Sequence, residues 1–63
     1  MEHTNEERYE FLTEVIGVSE DAMNMLIGIN GDKKETYDDA LFYYTGERDI
    51  DDAIDEYNAE MEA

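Results

Sequence analysis

Nineteen of the 63 side chains are carboxylates, and they are the residues with which this sequence could do chemistry. General acid–base catalysis needs one carboxyl group kept protonated in an apolar pocket beside an ionised one. With so many acids in so short a chain, close pairs arise by chance, so proximity carries no catalytic signal. The supporting groups are few. There is no Cys, and His3 and Ser19 are the single His and the single Ser. Ser19-Glu20-Asp21 reads as the capped first turn of a helix, and a concave active site is hard to build at this length. We expect no enzyme, no catalytic residue and no cofactor.

Calcium is the second chemistry that clustered acids serve. An EF-hand loop takes oxygen ligands at its first, third, fifth, seventh and twelfth positions and a Gly at its sixth. A loop starting at Asp49 places Asp51, Asp55 and Glu60 correctly but puts Ala53 fifth and Ile54 sixth, the apolar spacing of a helix. A loop starting at Asp32 puts Lys33 and Lys34 second and third, the latter a ligand position. No specific metal site is expected.

The third chemistry is the imitation of phosphate. Only four residues are Lys or Arg, and the formal net charge is −15. Such self-repulsion destabilises a small fold. A compact chain of this length has a radius of gyration of about 11 Å and a diameter of roughly 27 Å. Duplex DNA carries about 16 negative charges over that distance, the same order as this chain. The acids concentrate in the second half. Asp38 and Asp39 open one helix; Glu47, Asp49, Asp51, Asp52, Asp55 and Glu56 line the following turn and the outer face of the next. Like charges three or four positions apart destabilise a helix by a few tenths of a kcal/mol per pair. These eight, with Tyr43 as an exposed aromatic anchor, are the candidate partner-binding residues. Phe42-Tyr43-Tyr44 cannot all point inward from one helix, and Phe42 is the other candidate anchor.

An acidic surface is repelled by nucleic acid and by anionic membranes, and Arg8, Lys33, Lys34 and Arg48 are too scattered to form a basic patch. Direct nucleic-acid and membrane binding are not expected. No apolar run approaches a membrane span, and Met1-Glu2-His3-Thr4-Asn5-Glu6-Glu7 is no secretory signal, so the expected location is the cytoplasm of the host cell. An acidic, Lys-poor surface also fits a halophile, but free use of Asn, Ile, Met and Tyr argues against it.

The elements that must position these residues read as short helices in a single domain over residues 1–63, with residues 1–4 expected to be disordered. The first spans 5–16, capped by Thr4 with Glu7 completing a capping box, its stripe Phe11, Leu12, Val15 and Ile16 ended by Gly17. The second spans 20–29 behind the Ser19 cap. Its face of Ala22, Met25, Leu26 and Ile29, extended by Met23 and Ile27, makes it the expected most-buried helix. The third spans 37–45, capped by Thr36 with Asp39 reciprocating. Its inner stripe is Tyr37, Ala40, Leu41 and Tyr44, and Gly46 ends it. The fourth spans 50–60, capped by Asp49, with a stripe of Ile50, Ala53, Ile54, Tyr57 and Met61. The expected fold is an all-α bundle of three to four short helices. The alternative is α+β, with a hairpin turning at Asn30-Gly31. Dimerisation through Tyr57, Met61 and the fourth helix is a further expectation.

In size, charge, lack of Cys and helical character the chain resembles the small acidic proteins of phages and mobile elements. Leu26-Ile27-Gly28-Ile29-Asn30-Gly31 and Tyr43-Tyr44-Thr45-Gly46-Glu47-Arg48-Asp49 are similar to segments of prophage proteins of low-GC Gram-positive bacteria. That class includes DNA-mimic inhibitors of restriction enzymes, of RNA-guided (CRISPR) nucleases and of other nucleic-acid-binding host proteins. The resemblance implies a stoichiometric inhibitor whose partner is a basic nucleic-acid-binding host protein. The competing reading is a small helical protein–protein module or regulator, where the contact is apolar and the acids only solubilise.

Overall fold

The Thr4 hydroxyl accepts from the Glu7 amide at 3.1 Å, and the Glu7 carboxylate accepts from the Thr4 amide at 3.0 Å. This reciprocal cap starts α1 (Asn5–Glu10) where the sequence puts it. The computed structural model describes residues 1–62. α1 runs on into a π-helical segment, Phe11–Ile16. Then follow α2 (Glu20–Asn30), α3 (Lys34–Thr45) and α4 (Ile50–Glu62). The fold is the expected all-α small bundle, with no strand among the described residues. The hairpin alternative fails because α2 runs through Asn30, and Gly31, at φ 97°, closes it by donating to the Ile27 carbonyl at 2.8 Å.

The π segment departs from the uniform α-helix expected over 5–16. The Thr13 hydroxyl donates back to the Tyr9 carbonyl at 2.9 Å, a bond that bends helices. The backbone then opens to the wider i→i+5 turn. Gly17, at φ 96°, and Val18 both donate to the Leu12 carbonyl at 2.9 Å. The wider turn moves Val15 out of the expected stripe to the surface, while Phe11 and Leu12 stay buried.

α3 also begins earlier than expected. It starts at Lys34 rather than Tyr37, with Lys33 in the cap position making no side-chain bond. Thr36 does not cap. It lies inside the helix, and its hydroxyl donates to the Gly31 carbonyl at 2.6 Å. Asp39 therefore has no reciprocal cap to complete and is exposed. The start of α4 is as expected: the Asp49 carboxylate accepts from the Asp51 amide at 3.0 Å and more weakly from the Asp52 amide at 3.4 Å.

α3 packs against α1, the π segment, α2 and α4, so it is the central element. The core joins Leu12, Met23, Leu41 and Ile50, all fully buried, with Val18, Tyr37, Ala40 and Ile54 around them. The chain has a radius of gyration of 11.0 Å and extents of 37 × 20 × 20 Å. Burial on α2 runs against expectation. Met23 is its one buried residue, Leu26 and Ile27 are half-buried, and Met25 and Ile29 stand 62% and 73% exposed. Met61 likewise leaves the α4 stripe for solvent.

Candidate partner-binding surface

The structure divides the nine residues singled out from sequence into four groups. Asp51 was expected on the outer face of α4 and is instead buried, at 6% exposure. It forms a two-pronged ion pair with Arg8: Nε donates to Oδ1 at 2.9 Å and Nη2 to Oδ2 at 2.8 Å. The Arg8 guanidinium holds the Asp51 carboxyl below the usual carboxylate range. The third prong of Arg8, Nη1, donates to Asn5 Oδ1 at 2.6 Å. Asn5 in turn donates to the Asp32 carbonyl at 3.0 Å, tying α1 to the α2–α3 connection.

Asp38, Asp49 and Asp55 also serve the fold. Lys34 Nζ lies 3.1 Å from Asp38 Oδ2 and 3.2 Å from Asp49 Oδ1. Asp38 accepts from the Ile50 amide at 2.8 Å, satisfying one of the free N–H groups at the start of α4. The three side chains clamp the α3–α4 turn. Asp55 accepts from the Met1 ammonium at 2.7 Å and lies 2.8 Å from His3 Nε2. The sequence placed His3 in a loose terminus; here it is 7% exposed, its ring packed between Asp55 and Glu7.

The remaining acids face outward. Glu47, Asp52 and Glu56 are exposed and, with Asp49, edge one shallow concavity at the α3–α4 turn. Tyr43 and Asp39 line the α2–α3 face, and Asp39 also edges a concavity with Asp38, Phe42 and Arg48.

Two surfaces escaped the sequence reading. Glu6, Glu10 and Glu14 recur every four residues and, with Glu20 and Asp32, edge a groove of about 510 Å³ beside Tyr9 and Tyr37. The Tyr37 hydroxyl donates to Asp32, and burial pushes its phenol well up. The four-residue spacing was the available signal. The second surface is an apolar groove of about 440 Å³ between α2 and α3, lined by Met25, Leu26, Ile29, Ala40, Tyr43 and Tyr44. Tyr43 is 84% exposed and packs edge-on to Tyr44 at 5.3 Å between ring centres.

The cations are engaged within the chain. Arg8 and Lys34 are paired as described, Lys33 lies 3.9 Å from Glu35, and Arg48 sits 5.3 Å over the Phe42 ring. Comparison with family models, with curated proteins and with solved structures finds no match to this chain. Among the described residues no group of three or more acids or His is placed to hold a metal ion, and no helix is long and apolar enough to cross a membrane.

The His3 contact has a pH signature. Asp55, aided by Glu7, raises the ring above its ordinary value of 6.5 against the opposing effect of burial. A raised folded-state value means the contact stabilises in full below about pH 6.5 and fades as pH climbs through the raised value. Asp51 and Asp55 are lowered from 3.8, so their contributions hold above that value and are lost as pH falls below it. Thermal melts are expected to peak between these limits and to fall toward pH 8. In His3→Gln that alkaline fall is expected to flatten. An equal fall in the variant would remove His3 as its cause.

Proposed function

We propose that this chain is a stoichiometric binding protein that occupies a cationic, nucleic-acid-binding surface on another protein, its carboxylates standing where phosphates would lie. The observation that carries this reading is the charge balance. All four Lys and Arg side chains contact neighbours within the fold, while exposed acids such as Glu47, Asp52 and Glu56 have no ion-pair partner among the described residues. Counter-charge for them has to come from outside the chain. A surface of one sign steers an oppositely charged partner and speeds association. The class is that of inhibitors of DNA-handling host enzymes, acting in the cytoplasm of the host.

The test is capture followed by competition. Proteins are captured from host lysate on the immobilised chain, eluted with a salt gradient and identified by mass. The reading expects a nucleic-acid-binding protein from which duplex DNA and the chain displace each other. The combined variant Glu47→Gln, Asp52→Asn, Glu56→Gln is expected to keep its helical spectrum and bind more slowly and more weakly. A captured partner that binds DNA and the chain at once would contradict it.

A second reading, the helical interaction module, is favoured by one observation: the exposed apolar groove between α2 and α3. There the triple carboxylate variant would bind as well as the parent.

A further inference from the structure

We infer that the α2–α3 groove is the specificity contact of this protein and that it receives a cationic amphipathic helix of the partner. This rests on the reading that the partner is cationic and adds where, and in what conformation, it is gripped.

The groove is built from side chains at helical repeats. On α2, Ala22, Met25, Leu26 and Ile29 fall at i, i+3, i+4 and i+7; on α3, Ala40, Tyr43 and Tyr44 face them. Two parallel rows of this kind form the seat into which a third helix sets its own ridge. The α2 row spans two turns, about 10 Å of helix axis. An extended segment fits poorly. The described residues offer no strand edge with which its backbone could pair, and unpaired backbone groups laid against apolar side chains are costly. A helix satisfies its backbone internally. Met25 at 62% exposure supplies an adaptable contact, and Tyr43 at 84% a rigid one with a polar tip.

Charge complementarity selects the occupant. Asp39 lines the groove. Exposed Asp21 lies one turn before Met25 on the α2 row; Glu35, one turn before Asp39, is also exposed and lies 3.9 Å from Lys33. No Lys or Arg lines the groove. A helix with Lys or Arg flanking an apolar stripe is complementary in both respects. A second copy is not: each chain brings a net charge of −15, and the approach of two such surfaces is repulsive.

Two synthetic probes test this: a Leu/Lys peptide about five turns long with its Leu at i, i+3, i+4 and i+7, and a peptide of the same composition with that order scrambled. The amphipathic peptide is expected to bind roughly tenfold tighter or better, the weight of one well-placed anchor, with amide shifts concentrated on α2 and α3. The variant Met25→Gln, Ile29→Asn, Tyr43→Asn changes exposed side chains without changing charge. It is expected to keep its helicity and to lose the preference between the peptides. Equal, salt-sensitive binding of both peptides to the parent would overturn the groove assignment and leave the cationic-partner reading standing. Failure of both to bind at ~50 mM salt, where charge attraction is least screened, would overturn both. A parent chain that sediments as a dimer, and a variant that sediments as a monomer, would make the occupant a second copy and overturn the proposal.

Discussion

Asp51→Ala is expected to strip this protein of most of its stability. The substitution strips the two-pronged partner from Arg8, whose side chain is 6% exposed. Removing one member of a buried pair costs about 3–5 kcal/mol, because the other charge remains without counter-charge or solvent. A chain of this length has roughly 3–9 kcal/mol of stability in total, so the loss takes most of it. The melting midpoint should drop by on the order of 20 °C or more, read by far-ultraviolet circular dichroism. The double variant Arg8→Met, Asp51→Leu replaces the pair with apolar groups of similar size and should recover most of the loss. A single-variant cost below about 1 kcal/mol, the range of an exposed pair, would mean that Asp51 reaches solvent and is open to a partner after all.

The second large effect separates the two faces of α3. Leu41 is fully buried and Tyr43, two residues on, is 84% exposed. Leu41→Ala is expected to cost about 2–5 kcal/mol through lost burial and the cavity left behind. Tyr43→Ala should stay within about 0.5 kcal/mol, as exposed substitutions do, yet weaken partner binding. Urea unfolding of the two variants reads both values. A Tyr43→Ala cost matching that of Leu41→Ala would show that the α2–α3 groove is shut in the folded protein and unavailable for docking.

What local signals governed was legible in the sequence. Thr4 with Glu7, Ser19, Asp49, Gly17 and Gly46 fix helix ends through bonds spanning a few residues, and each stands where the chain chemistry put it. The start of α3 was not legible. Thr36 had the composition of a cap, but a contact with the Gly31 carbonyl claimed its hydroxyl.

The buried face of α2 was hidden for a related reason. Apolar residues at 22, 23, 25, 26, 27 and 29 cover more than one stripe, and periodicity alone does not choose among them. The choice falls to the partners: Met23 joins Leu12, Leu41 and Ile50 in one cluster, and Met25 and Ile29 are left outside. The Arg8–Asp51 pair spans 43 positions, beyond any local pattern. A clue existed: Arg8 lies three and four residues before Phe11 and Leu12, on the apolar stripe itself, and Asp51 lies three before Ile54. A charge on a core-facing stripe calls for an opposite charge on the stripe of another element. His3 offered no such clue, because its burial depends on Asp55 at the far end of the chain.

These misplacements bear directly on function. Four of the eight acids assigned to a partner also make contacts within the fold, and Tyr43 and Asp39 line an apolar groove between α2 and α3. The proposal that takes these placements into account is a cationic helix drawn in by the unpaired carboxylates and seated between α2 and α3.

The most direct measurement is the affinity of the chain for its captured partner as salt rises from ~50 to ~500 mM, across which the screening length shrinks severalfold. The account predicts a steep, continuous weakening, carried mainly by slower association. An affinity that holds constant over that range would contradict it, and the carboxylates would then have no part in recognition.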